Sequence, residues 1–156
     1  MPAEPAQAAL RARLLWYFTE TLGALPPELA LALRHPDLPK AAFHDGVTLP
    51  SNDDPDHPLD FFDIRYWILG TTPDTSDRYY DLTLRVWKGQ GWTIETDRDS
   101  RPRGCGTRTP DGYGFALTQS VNGYLSLSGM TPPFAADSAT GSPFPTRIDH
   151  PSDVLG

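Results

Sequence analysis

The chain has 156 residues and a formal net charge of −7 at pH 7, which is long enough for one domain with its own hydrophobic core. Binding to a phosphate backbone requires clustered Lys and Arg side chains, so nucleic acids and anionic membranes are disfavoured as partners. A basic protein surface or a cation complements such a charge. The single cysteine, Cys105, excludes a disulfide within the chain.

The sequence carries no basic segment followed by an apolar stretch at its start, and no apolar run near the ~18 residues that cross a bilayer. As it stands, it predicts a cytoplasmic protein without membrane insertion. A chain that had lost its export signal would read the same, so the cell envelope is the alternative location. We expect a monomer or a weak dimer.

The first element is predicted to be a helix over residues 3–23. One apolar residue recurs at every fourth position, which places these side chains on one helical face: Leu10, Leu14, Phe18 and Leu22. Gly23 and the two prolines at 26–27 end this helix. A second short helix is predicted over 28–34, where Pro36 stops it.

The middle of the chain predicts a loop, a strand and a helix. Residues 36–60 are rich in Pro and Asp and predict a long loop with an extended segment at 46–49. Residues 61–69 alternate apolar and polar side chains, as a strand does. Residues 77–89 fit the period of either a strand or a helix, and Ser76 and Asp77 would cap a helix.

The C-terminal half predicts antiparallel strands at 92–96, 105–109, 113–121 and 124–129. Asn122-Gly123 is typical of the tight turn in a hairpin. From Thr131 onward the composition is polar and aperiodic, so little apolar surface offsets the entropy of ordering. We therefore predict one α+β domain over 1–133 and a disordered tail over 134–156. Its architecture is one antiparallel sheet of about four to five strands with two helices on one face.

Several short motifs occur in an order that is known from one family. They are Leu22-Gly-Ala-Leu-Pro26, Tyr79-Tyr80-Asp81, Trp87 with Gly91-Trp92, Pro110-Asp-Gly-Tyr113, and Asn122-Gly123 followed by Tyr124 to Ser128. Together they resemble the small actinobacterial cell-envelope lipoproteins of the mycobacterial LppA and LppV type over about residues 10–133. The resemblance implies a helix around residues 80–87, which decides that element, and it implies no reaction.

The chain also departs from that family. It lacks the lipid-attached cysteine that follows a signal peptide in such lipoproteins. The family's further cysteines, in the loop after the first helix and after the last strand, correspond to residues 49–51 and 131–133, which contain none. The loss of such a pair is consistent with a reducing compartment.

The Asp-rich loop is the first candidate site. Asn52, Asp54 and Asp56 stand at alternate positions, with Asp63 further on, as in loops that offer Ca²⁺ several oxygen ligands. His57 stands where an EF-hand requires Gly, and the closing Glu is absent.

Zn²⁺ is the other metal to consider, because His and Asp occur together at 44–45 and 56–57. The two histidines, His44 and His57, would need Asp53 or Asp60 as a third ligand. For a metal in this loop the candidate ligands are Asp54, Asp56 and His57. A solvated loop with Asp in turn positions is the simpler interpretation, and we predict no cofactor.

A basic cluster over residues 98–108 is the second candidate. Arg101 and Arg103 could bind a carboxylate or phosphate of a partner through their forked donors, or they could pair with the aspartates that border the cluster. Their positive charge would lower the pKa of the Cys105 thiol. No histidine lies near it in sequence to serve as a base, so a structural cysteine is the favoured interpretation.

No Walker loop, GxSxG elbow or paired catalytic carboxylates stand out in the sequence. We therefore predict a non-enzymatic binding domain with a protein partner, such as a basic toxin that it neutralises or an envelope component. The predicted contacts are Asp53, Asp54, Asp56, Trp67, Arg101 and Arg103, with Trp67 either exposed or covered by the second helix. The alternatives are a metal-binding or hydrolytic enzyme that uses residues 44–63 or Cys105, and a structural relic of a lipoprotein fold.

Overall fold

The computed structural model describes residues 6–154. Within them, two helices accompany one antiparallel sheet of nine strands. The helices are α1 (Gln7–Gly23) and α2 (Ser76–Gly89), and the strands are β1 (Ala30–Ala32), β2 (Val47–Pro50), β3 (Leu59–Leu69), β4 (Thr93–Arg98), β5 (Gly104–Arg108), β6 (Gly114–Gln119), β7 (Leu125–Met130), β8 (Phe134–Ala135) and β9 (Arg147–Ile148). A short 3-10 helix, Pro151–Val154, follows. The α+β class with one antiparallel sheet is confirmed.

The strands are ordered β4-β5-β6-β7-β3-β1-β9, and β2 and β8 pair with β3 on the two sides of its first half. The sheet is larger than the predicted four to five strands because four short strands, β1, β2, β8 and β9, join it through the loops. The strands predicted at 61–69, 92–96, 105–109, 113–121 and 124–129 are all present, and their ends differ from prediction by at most two residues.

The alternation along β3 gives the sheet two different faces. The side chains of Ile64, Tyr66 and Ile68 are buried on the inner face, which the helices cover. The side chains between them, among them Asp63 and Trp67, belong to the opposite face, which we call the outer face. Because side chains in a strand alternate with a period of two, every strand paired with β3 has one set of residues on each face.

Both long helices are present as predicted. In α1, Leu14, Phe18 and Leu22 are fully buried, and the Phe18 ring meets the Tyr66 ring edge to face at 5.3 Å between centroids. Residues 3–5 of the predicted first helix lie outside the described residues. In α2, Tyr80 and Trp87 are fully buried, as the helical interpretation of residues 77–89 requires.

The prediction of a short helix over residues 28–34 is wrong. Residues 30–32 form β1, which pairs with β3 from Ala30 opposite Leu69 to Ala32 opposite Trp67. All three residues of β1 are buried. Ala and Leu favour helices locally, but here the pairing and burial against β3 override that preference.

The prediction of a disordered tail over residues 134–156 is wrong for the part that the structure describes, residues 134–154. Phe134 is fully buried in β8, and β9 pairs with β1. The Phe144 ring packs against the Phe62 ring at 5.1 Å, and Nε2 of His150 lies 2.9 Å from the carbonyl oxygen of Leu25. Widely spaced anchors order this segment, so its sequence shows no periodicity although the domain continues through it.

Replacing Phe144 with Ala tests whether the tail belongs to the core. Because a buried aromatic ring is removed, we expect the free energy of unfolding in urea to fall by about 3–5 kcal/mol. Ser142→Ala, at an exposed position two residues earlier, should change it by less than about 0.5 kcal/mol. Equal stability of the two variants would show that the tail does not contribute to the fold.

Candidate functional site

The outer face, which neither α1 nor α2 covers, carries mostly small side chains. Successive pairing of β3, β7, β6, β5 and β4 places one row of residues across the sheet. That row is Arg65, Ser128, Ala116, Gly106 and Thr96. The small residues leave a cavity of about 370 Å³, whose lining includes Asp63, Glu95, Gly106, Ala116, Ser128 and Met130. We call this cavity the outer groove.

Two glycines in the floor of the outer groove lie directly beneath neighbouring side chains. A Cβ at Gly106 would lie 2.9 Å from Oγ1 of Thr96, and a Cβ at Gly114 would lie 2.9 Å from Sδ of Met130. The side chains of Thr96 and Met130 therefore lie across bare backbone. Glycine inside a strand often marks such a close approach.

Glu95 reaches the outer groove because β4 is irregular. The pairing between β4 and β5 shifts register between Ile94 and Thr96, and an extra residue in a strand re-aims its side chain. Nε of Arg108 donates a hydrogen bond to Oε1 of Glu95 at 3.2 Å. This carboxylate is thus neutralised within the chain.

Asp63 is the carboxylate at the β3 end of the outer groove. Burial raises its pKa above the usual value, while the charges of Arg65 and His44 act in the opposite direction. No salt bridge within residues 6–154 involves Asp63. A raised carboxyl pKa means that the loss of water is not fully compensated by nearby positive charge. From the sequence, Asp63 was predicted only as a possible further ligand of a calcium-binding loop.

The segment that leads through β2 into the first half of β3 is rich in negative charge. Residues 41–64 contain six Asp and no Lys or Arg. Asp53, Asp54 and Asp56 are all exposed in the connecting loop, residues 51–58, which we call the acidic tip. The Asn52 side chain shapes this loop by donating to the carbonyl of His57 and accepting from the N–H of Leu59, both at 3.0 Å.

The acidic tip does not assemble the predicted metal ligands. Nδ1 of His57 lies 3.4 Å from one oxygen of Asp54, and the other oxygen accepts the N–H of Asp56 at 2.9 Å. Across residues 6–154 no group of three or more His, Cys, Asp or Glu side chains is placed to hold a metal ion. The alternating pattern that suggested Asp54, Asp56 and His57 is explained by a local turn, in which Asp commonly binds the backbone two residues on.

Trp67 is neither exposed nor covered by α2, contrary to the expectation. It lies on the outer face with 7% of its surface exposed, beneath residues 33–43, which we call the strap. Its Nε1 donates to the carbonyl of Ala41 at 2.7 Å, and its ring stacks on Phe43 at 4.7 Å. The strap closes on itself where the N–H of Phe43 donates to the carbonyl of Leu33 at 2.9 Å.

Arg101 and Arg103 bind within the chain. Arg103 has only 13% of its side chain exposed, donates to Asp81 at 2.7 Å and lies over the Tyr80 ring at 4.0 Å. Nε of Arg101 donates to Asp77 at 3.2 Å. Both arginines therefore join α2 to the start of β5. Of the two predicted roles for the basic cluster, pairing with aspartates is the one that the geometry supports.

Cys105 does not have the reactive surroundings that its neighbouring arginines suggested. It lies on the inner face, buried near the Tyr80 hydroxyl. Burial raises the pKa of the thiol, and the hydrogen bond from Tyr80 only partly offsets this. A raised thiol pKa disfavours the nucleophilic thiolate.

No protein-family model, characterised protein or solved structure matches this chain. Neither helix of the described segment is long and apolar enough to cross a membrane.

Replacing Arg103 with Gln tests whether the arginine cluster is structural. Because the side chain is largely buried and bonded to a carboxylate, we expect the free energy of unfolding to fall by about 1–3 kcal/mol. Arg98→Gln changes an exposed arginine of the same cluster and should cost at most ~0.5 kcal/mol in the same urea titration. If both variants match the unchanged protein, the cluster does not stabilise the fold.

Replacing Asp63 with Asn tests whether its carboxylate is desolvated. A native pKa above the unfolded one means that the folded state binds more protons between the two values, so stability falls as the pH rises through this window. Asp63→Asn should therefore raise the melting temperature at pH ~7, and the gain should vanish below the ordinary aspartate pKa of ~3.9. Asp53→Asn, at an exposed position, should show no such gain. A loss of stability at neutral pH would contradict the assignment.

Proposed function

We propose that this protein is a non-enzymatic binding domain that recognises a basic segment of a partner protein along the acidic tip and the outer groove. The observation that carries the proposal is Asp63, a half-buried carboxylate at the wall of an open groove that no ion pair within residues 6–154 neutralises. A carboxylate whose charged form is disfavoured by burial at such a position is a candidate for function.

The acidic tip and the outer groove are parts of one surface. The tip leads directly into β3 at Leu59, and Asp63 follows four residues later, about 13 Å along the strand. A single extended or helical segment can therefore contact both. An Arg or Lys side chain can place its apolar stem over the small floor residues and Met130 while its charged end reaches Asp63.

The charge distribution favours a basic partner. Near the candidate surface, Arg108 bonds to Glu95, whereas Arg65 of the outer-face row, like Asp53 and Asp56, forms no salt bridge within residues 6–154. The six Asp of residues 41–64 outnumber that one arginine. Complementary charge of this kind accelerates encounter and selects among partners.

Two classes of basic partner suit the surface. One is a secreted toxin that the domain neutralises, and the other is a component of the cell envelope. The motif resemblance to actinobacterial envelope lipoproteins supports the second. A toxin gene beside the gene for this protein would instead favour the first.

The rival function, a metal-dependent or hydrolytic enzyme, draws no support from the geometry. His57 is exposed beside a single carboxylate, that of Asp54. Cys105 lies on the opposite face of the sheet from the outer groove and is buried. These residues do not share a cavity in which a reaction could be arranged.

Titration with a short Arg-rich peptide tests the proposal by NMR. We expect backbone N–H resonances of the acidic tip and the outer groove to shift. The triple variant Asp53→Asn, Asp54→Asn, Asp56→Asn should weaken binding about tenfold, since exposed ion pairs each contribute roughly 0.2–1 kcal/mol. Added salt should weaken binding to the unchanged protein in the same direction.

The matched control changes the net charge equally at exposed sites outside the hairpin: Glu20→Gln, Asp74→Asn, Asp99→Asn. It should leave the affinity within about twofold, because distant surface charges are screened. A Glu-rich peptide of equal length should not bind. Equal weakening by the two triple variants, or shifts that map to the helices, would contradict the proposed surface.

A further inference from the structure

The strap covers one end of the outer face, next to the outer groove. Trp67 lies four residues after Asp63 in β3 and points to the same side of the sheet. The strap hides the Trp67 ring under Phe43 and holds its indole N–H with the carbonyl of Ala41. The outer face is therefore open at the Asp63 end and closed at the Trp67 end.

His35 is the buried polar group that holds the strap together. It is 6% exposed, and its Nδ1 accepts the N–H of Asp37 at 3.0 Å. Because Nδ1 is an acceptor, the imidazole is neutral and its proton is on Nε2. That nitrogen is inaccessible to solvent and has no hydrogen-bond partner among residues 6–154. The His35 ring lies edge to face against two aromatic rings, with centroid distances of 5.0 Å to Tyr124 and 6.1 Å to Trp67.

A second proton on His35 would disrupt this arrangement. Nδ1 would become a donor facing another donor, the N–H of Asp37, and the cation would be buried without an acceptor. The aromatic rings of Trp67 and Tyr124 supply no lone pair in its place. Among the charged side chains around it, Arg34 of the strap and Arg147 of β9 line the same cavity as His35. The Arg34 charge opposes a further positive charge, whereas Arg147 is paired with Asp149 at 2.6 Å, and the Asp37 side chain is exposed.

We propose that the strap is a proton-sensitive cover in which protonation of His35 releases residues 33–43 and uncovers Trp67. Release extends the outer groove by an aromatic surface, so acidification enlarges the area that a partner can contact. The significance for binding rests on the proposed function, but the release itself requires no partner. The strap is closed while His35 is neutral and opens when the imidazole gains its second proton.

The indole N–H resonances of the full chain test this without any ligand. The chain has four tryptophans, and Trp67→Phe assigns the Trp67 signal. From pH ~7.5 to ~5, across the histidine range, hydrogen exchange at the Trp67 indole should accelerate by at least about tenfold after correction for its intrinsic pH dependence. Exchange at Trp87, which is fully buried beneath the helices, should not accelerate.

His35→Asn is the matched variant. An Asn side chain accepts the N–H two residues on, as Nδ1 of His35 does, but it does not titrate. The strap of this variant should stay closed over the whole range. His57→Asn, which removes an exposed histidine, should keep the full response.

Two results would overturn the proposal: a Trp67 indole that is equally protected at both ends of the range in the unchanged protein, or a pH response that persists in His35→Asn. Either result leaves binding of the Arg-rich peptide at neutral pH untouched. Failure of that peptide to bind would, conversely, leave the pH response of Trp67 in place. The two proposals therefore fail separately.

Discussion

The two-faced character of β3 is the constraint on which the other features depend. This strand pairs with β1, β2, β7 and β8, so its alternation sets the faces of most of the sheet. Its inner side chains pack under α1, where Tyr66 meets Phe18, while its outer side chains supply Asp63 to the outer groove and Trp67 to the strap. A slip of one residue would exchange the two sets. The core and the candidate site are thus fixed by the same register.

An uncovered sheet face is a liability, and this chain limits it in two ways. Small residues such as Gly106 and Ala116 keep the open half from presenting a large apolar patch, and the strap covers the large ring of Trp67. The exposed edge strand β4 is protected in turn by its register shift at Glu95 and by its charged residues. An open face can therefore persist in the folded domain as a place for a partner.

The sequence predicted the features that depend on local patterns. The four-residue spacing in α1, the alternation in β3 and the Asn122-Gly123 turn, where Gly123 has a φ of 89°, were all interpreted correctly because each pattern lies within one element. The position of β1, the order of the tail and the covering of Trp67 were not, because they depend on contacts between residues far apart in the chain. The partial burial of Asp63 likewise arises only when β3 and its neighbouring strands meet around it. Alternation indicates which face Asp63 occupies but not how much water remains there.

The arginines and aspartates show how the same kind of residue takes different roles. Arg103 is held between α2 and β5 by Asp81 and the Tyr80 ring, so its charge serves the fold. Asp53 has no such contact, because residues 41–64 contain no Lys or Arg to pair with it nearby in sequence. Five of the 13 Lys and Arg residues form salt bridges within residues 6–154, while the negative charge of the acidic tip faces solvent without such pairing to Lys or Arg. This unpaired charge beside a groove, more than the net charge of −7, makes the surface selective. Excess net charge alone keeps protein molecules apart, whereas unpaired charge beside a groove selects a partner of complementary charge and shape.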